Sequence, residues 1–193
     1  MANKIRYGIS NVYYAVATIA ANGTATYALP VALPGAVSLS MEPQGDRTPF
    51  YADNIEYYVS SSNTGYDGTL EVALLTDAFK KNILGYREDT KHVFVEDMEA
   101  QPIHFALIFQ FEGDESGRRH VLYNCTAQRP GENGSTKNET IEPQTESISI
   151  RASGIYVSAI SKWLVKAETT GTTATADYNS FLTAVYTPSA LTT

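Results

Sequence analysis

The run Ile103-His-Phe-Ala-Leu-Ile-Phe-Gln-Phe-Glu112, followed by Gly113-Asp-Glu-Ser-Gly117 and Arg118-Arg-His-Val-Leu-Tyr-Asn-Cys-Thr126, decides the fold class. Ile103, Phe105, Leu107, Phe109 and Phe111 recur at every second position, the period of a β-strand, and so share one face. His104, Ala106, Ile108, Gln110 and Glu112 take the other. The segment between the two runs is made of glycine, acids and serine, a turn signal, so the pair reads as an antiparallel hairpin.

The same alternation extends outward. In Thr69–Leu75, Leu70, Val72 and Leu74 oppose Thr69, Glu71 and Ala73; in Glu146–Arg151, Ile148 and Ile150 oppose Ser147, Ser149 and Arg151. Glu56–Ser61 and Thr69–Leu75 flank Asn63-Thr-Gly-Tyr-Asp-Gly68, which predicts a second hairpin. Gly35–Met41 and residues 155–166, with Trp163, read as further strands. Each strand then offers a greasy face to a core and a polar face to water. One helix is signed: Thr76 caps it, Asp77 suits its positive end, Phe79 and Ile83 share a face, Lys80 and Lys81 are left for solvent, and Gly85 stops it. Tyr178–Tyr186 fits helix or strand equally. These elements predict a mainly β protein, an antiparallel β-sandwich or barrel with one flanking α-helix and long loops.

The chain of 193 residues is read as one domain over 1–193, since domains run to about 100–200 residues. Around its strands lie an N-terminal arm (about 1–15), long loops at 42–54 and 127–143, and a flexible tail at about 168–193 whose first part is a Thr/Ala/Gly linker. A hydrophobic fraction of 43% with 18% charged residues is that of a globular chain. The net charge of −7 argues against a protein that grips nucleic acid or an anionic membrane. That charge is uneven: residues 1–41 carry +2, residues 42–115 carry −10 and residues 116–193 carry +1. Val12–Ala21 is far short of the ~20 apolar residues that span a bilayer, and no cleavage site follows it. The chain is therefore expected to fold in a cytoplasm, with no membrane partner.

Chemistry is poorly signed. The lone Cys125 excludes an intramolecular disulfide and any multi-cysteine metal site. His92, Glu96 and His104 match no ligand spacing. His120 and Cys125, five apart on a strand, are expected on opposite faces, which excludes a local dyad and leaves a buried, inert thiol. Glu112, Asp114 and Glu115 are the nearest thing to paired carboxylates, but the last two sit in a turn, where acids are ordinary. Gly113–Gly117 lacks the alternating acids of a calcium loop. Nucleophile elbows and phosphate-cradling loops are missing. No catalytic residue, metal or cofactor is expected.

Several segments match together. They are Asn3-Lys-Ile-Arg-Tyr-Gly-Ile-Ser-Asn-Val-Tyr-Tyr-Ala15, Pro34-Gly-Ala-Val-Ser-Leu-Ser40, Phe50-Tyr-Ala-Asp-Asn54 and Gly65-Tyr-Asp-Gly-Thr-Leu-Glu71. Further on come Ile83-Leu-Gly85, Phe105-Ala-Leu-Ile-Phe109, Arg119-His-Val-Leu-Tyr-Asn-Cys125, Arg129-Pro130 and Glu142-Pro-Gln-Thr-Glu146. In order and spacing across residues 3–150 the sequence resembles the major tail protein (tail tube protein) family of long-tailed, non-contractile phages of Gram-positive bacteria. The resemblance implies a β-sandwich flanked by a helix, assembled as hexameric rings stacked into a hollow tube through which DNA leaves the capsid. It implies self-association, contact with tape-measure, tail-terminator and distal tail proteins, passage of DNA without specific binding, and a place in the virion after synthesis in the host bacterial cytoplasm. A type VI-like secretion tube protein and a carbohydrate-binding or adhesive β-sandwich, suggested by Tyr-rich loops, are the alternatives.

A ring needs a head-to-tail contact that closes, and stacking needs a second that does not. Strand edges can supply the first. For the second the candidates are the two long loops, the basic arm and the tail. Phe50 and Tyr51 are apolar anchors in a polar loop, poised either for a neighbour or for their own core. Lys4, Arg6 and Arg129 complete the candidate interface, the arm being able to meet a neighbour's acidic middle. Loop 42–54 is expected to order only on assembly. A basic bore would hold DNA, so polar strand faces with excess acid should line it, with Glu71 and Glu112 as the named candidates.

Overall fold

A computed structural model describes residues 5–114, 116–136 and 143–191. Its strands begin with β1 (Tyr7–Ile19), β2 (Ala25–Tyr27), β3 (Val31–Ala32), β4 (Ala36–Gln44), β5 (Arg47–Ala52), β6 (Ile55–Ser61) and β7 (Gly65–Val72). After helix α1 (Asp77–Asn82) come β8 (Arg87–Glu88), β9 (Phe94–Val95), β10 (Phe105–Glu112), β11 (Arg119–Ala127) and β12 (Glu146–Ser153). The chain ends with β13 (Ile155–Val157), β14 (Lys162–Leu164), β15 (Lys166–Glu168) and α2 (Thr175–Ser180). The fold is mainly β, and its strand pairs are antiparallel.

The main sheet runs β2–β1–β10–β11–β12–β7–β4, and β4 curls back against β1. Inside the curl lies the larger core, with Tyr14, Leu70, Val72, Phe105, Leu107, Leu122, Ile148 and Ile150 all buried. Helix α1 plugs it. Thr76 Oγ1 accepts from the Phe79 amide at 3.2 Å as the expected N-cap, and Gly85 has the positive φ of +76° that ends the helix. Phe79 is fully buried and meets Tyr14 and Phe105 edge-on, at ring-centre separations of 5.1 and 5.9 Å.

The hairpin expected from residues 103–126 forms as β10–β11. Its second face differs from expectation. Ala106, Ile108, Val121 and Tyr123 do not meet water; they form a second core with Ala15, Ile155, Val157 and Phe181. The face is apolar enough to need a cover, and the C-terminal segment supplies it. The expected tail therefore packs: β15 pairs with β11, Thr169 Oγ1 accepts from the Arg119 amide at 2.9 Å, and Phe181 is buried. Residues 155–166 make two short strands, β13 and β14, rather than one.

Four other expectations change. The arm expected over about 1–15 gives way to strand from Tyr7, where β1 begins and pairs along β10. Register shifts at Tyr7/Ile9 and Ser10/Tyr13, with positive φ at Gly8 and Asn11, break the alternation and hide this strand in the sequence. Residues 56–61 and 69–75 do not pair with each other: β6 pairs with β5, and β7 with β4 and β12. The reversal is at Asp53-Asn54, whose φ values of +52° and +63° fit a two-residue hairpin turn. Residues 42–54, expected as a loop, are thus the end of β4 and all of β5. At Gly65 the start of β7 passes so close to β12 that a Cβ would stand 2.0 Å from the Ala152 carbonyl oxygen. Lastly, the β10–β11 register shifts between Phe105 and Leu107, so β11 bulges. The bulge puts Cys125 on the same face as Leu122 and on the side where His120 stacks on Phe109, not on the opposite one.

Candidate assembly surfaces

Strands β5 and β6 form a two-stranded ribbon that continues β4 and β7 past the body of the sheet. Phe50 stands opposite Tyr58, Tyr51 opposite Glu56, and a register shift between them accommodates Tyr57. Their exposures are 59% for Phe50, 62% for Tyr51, 62% for Ile55, 72% for Tyr57 and 63% for Tyr58. Phe50 and Tyr51 therefore do not tuck into the chain's own core. A lone two-stranded hairpin is marginal in water, and clustered exposed apolar side chains mark an interaction surface. The Arg47–Glu56 ion pair at 2.6 Å ties the two strands together, a contribution of under about 1 kcal/mol for so exposed a pair.

A second surface is the outer face of β4, β7 and β12. Pairing register sets its side chains in three rows: Ser38, Glu71 and Ser147; Ser40, Thr69 and Ser149; Glu42, Asp67 and Arg151. All are polar and none is buried, while Leu39, Leu70, Val72, Ile148 and Ile150 turn inward. Three acids face one base. Glu71 accepts from Thr145 Oγ1 at 2.5 Å and from Ser38 Oγ at 2.9 Å, and these two bonds hold its carboxyl below the usual carboxylate range. Arg151 reaches Asp67 at 3.2 Å. The second and third rows, with Pro102 and Gln128 beside them, line a shallow depression of about 720 Å³.

The remaining candidates scatter. Glu112 lies on β10 opposite Tyr7, outside the polar rows. Lys4 lies outside the described residues. Arg6 is exposed and lies over the Phe111 ring at 4.8 Å. Arg129 is used internally, donating to the Asp97 carbonyl at 2.8 Å and pairing with Glu96 at 2.7 Å.

Beside Arg6 a cleft of about 200 Å³ opens into the larger core between β4 and β15. His120 borders it, stacked on Phe109 and 3.2 Å from Glu168. Burial holds this imidazole below the usual histidine range, against the pull of Glu168. Cys125 is fully buried and its thiol is pushed up to about 12 by desolvation, so it is no nucleophile at neutral pH. His92 pairs with Glu88 at 2.5 Å and His104 with Asn124 at 2.7 Å. Among the described residues no cluster of three potential metal ligands occurs.

Sequence reasoning missed Ile55, Tyr57 and Tyr58, and it missed the grid as a unit. A signal existed for the grid: Ser-x-Ser-x-Glu at 38–42, Asp-x-Thr-x-Glu at 67–71 and Ser-x-Ser-x-Arg at 147–151 each place polar residues at every second position.

A family model described as phage tail tube protein matches residues 2–99, just over half of the chain. The matched part holds the ribbon, α1 and two of the three strands of the polar face. No curated protein matches the sequence.

Proposed function

The chain belongs to the phage tail tube protein family, and from that membership we propose that it polymerises as stacked hexameric rings into the tube that carries DNA from capsid to host. Its role in the family is structural, as a component of a phage tail. No helix among the described residues is long and apolar enough to cross a membrane.

The observation that carries the proposal is the β5–β6 ribbon, which holds five large apolar side chains in solvent. The ribbon is the projecting element that reaches a neighbouring subunit, with Phe50 and Tyr51 as its anchors. The short basic arm, Lys4 and Arg6, meets an acidic neighbour, and Arg129 acts at one remove by holding residues 96 and 97 in place. The polar rows of β4, β7 and β12 line the bore. Hydroxyl groups and a surplus of acid give a wall that repels the phosphate backbone instead of binding it, so that DNA slides. Glu71 belongs to this wall.

Tape-measure protein within the tube, and terminator and distal tail proteins at its ends, are the partners this role requires. The protein is made in the host bacterial cytoplasm and resides in the virion tail.

Electron microscopy of the purified protein, alone and in phage particles, tests the reading. Rings or hollow tubes are expected. A monomer under all conditions, together with absence from tailed particles, overturns it.

A further inference from the structure

The geometry points to the core-opening cleft beside Arg6 as the receptor for the aromatic ribbon of a second copy of this chain, an inference that rests on the tube reading above. The cleft is mixed: Leu39, Met41, Tyr66, Phe109, Phe111 and Leu122 give it an apolar side, and Arg6, His120, Lys166 and Glu168 complete the lining. Its volume of about 200 Å³ is enough for one aromatic ring, since apolar cavities of ~150 Å³ hold benzene. Two cations cover it. Arg6 lies over Phe111 at 4.8 Å, and Lys166 lies over Tyr66 at 5.9 Å. Both side chains are long and exposed, so they can swing aside without breaking the core.

Charge selects the occupant. Around the cleft the bases Arg6, Lys166 and, just outside it, Arg118 stand against Glu168, engaged by Lys166 at 3.3 Å, His120 at 3.2 Å and Arg118 at 3.8 Å, and against Asp114, 3.5 Å from Arg118, a balance of three to two. The ribbon carries Asp53 at its turn and Glu56 and Asp46 along its length, against Arg47. An apolar ring flanked by acids meets the apolar side of a pocket flanked mostly by cations.

Distance makes the contact intermolecular. Met41 lines the cleft from β4, and the same strand leads into the ribbon. Phe50 lies six residues past Gln44, roughly 20 Å further along an extended strand at about 3.3 Å per residue. A chain's own Phe50 is thus carried away from its own cleft. The pairing of tip with root between copies is head-to-tail, the kind of contact that propagates into rings or filaments.

The test uses the full chain with p-benzoylphenylalanine in place of Phe50, mixed with an excess of isotope-labelled unsubstituted protein so that assembly does not depend on the altered copy. After polymerisation and irradiation, cross-links to labelled Met41, Leu39 or Leu122 are expected. Introducing Lys166→Glu in the labelled copy should lower their yield several-fold. Tubes whose cross-links fall only on other surfaces overturn the cleft assignment and leave the tube reading standing. Unsubstituted protein that forms no tubes overturns the tube reading, and the cleft assignment with it.

Discussion

Phe50 faces Tyr58 across a two-stranded ribbon, and both rings are more exposed than buried. Neither is buried in its own subunit, and in the proposed tube their value is to a neighbour. The double substitution Phe50→Ser with Tyr58→Ser should change monomer stability by no more than about 0.5 kcal/mol, the ordinary size for exposed sites. It should abolish tube formation. Thermal unfolding and electron microscopy on the same sample separate the two effects; unfolding at much lower temperature would show that the pair is structural.

Amide exchange should be fast across residues 47–61 in the monomer, because a lone hairpin is marginally stable, and should slow by orders of magnitude in the assembled tube. Equal protection in both states would remove the ribbon from the interface.

Glu71 gives a pH dependence with a definite sign. Its carboxyl is held below the ordinary range by Thr145 and then Ser38, so its folded-state pKa lies below its unfolded value. The stability it contributes is complete above the ordinary carboxylate range and is lost as pH falls through the folded value. Thr145→Val should move the Glu71 titration upward, followed by carboxyl carbon shifts in NMR. An unmoved titration would show that the hydrogen bonds do not set it.

Tyr123 is buried in the second core, and its hydroxyl finds no partner among the described residues. Tyr123→Phe removes a polar group that water solvates in the unfolded chain and that no described residue satisfies in the fold. The melting temperature should rise or hold. By contrast Phe79→Ala, which empties the centre of the larger core, should cost about 3–5 kcal/mol.

Period-two alternation made β10, β7 and β12 legible in the sequence, the turn at 113–117 made β11 legible as the partner of β10, and capping chemistry made α1 legible, because these signals are local. What stayed hidden depends on tertiary partners. Bulges near Gly8 and Asn11 broke the pattern of β1, and a bulge in β11 reversed the expected face of Cys125. The composition of residues 42–54 resembles a loop because most of its side chains face solvent on a ribbon that no described residue of its own chain covers. Ala106 and Ile108 are apolar, yet only the packed position of Phe181 shows that their face is a second core. Of the candidate site, Phe50 and Tyr51 lie exposed on the ribbon and Glu71 on the polar face; Arg129 is internally paired, and Glu112 lies outside the polar rows.

In the proposed tube, charge of the other sign on the polar rows should slow DNA. With Glu71→Lys and Asp67→Lys together, the rows change from three acids and one base to one acid and three bases. Phage carrying these changes should eject DNA more slowly, and added salt should restore the rate, since phosphate contacts weaken as salt rises.

The most direct measurement is an electron cryomicroscopy reconstruction of the assembled protein. The predicted result is a hollow tube of stacked rings, with Ser38, Glu71 and Ser147 facing the bore and the β5–β6 ribbon buried between subunits. A reconstruction in which that polar face is buried or turned outward, or in which Phe50 and Tyr58 remain in solvent, would contradict the account.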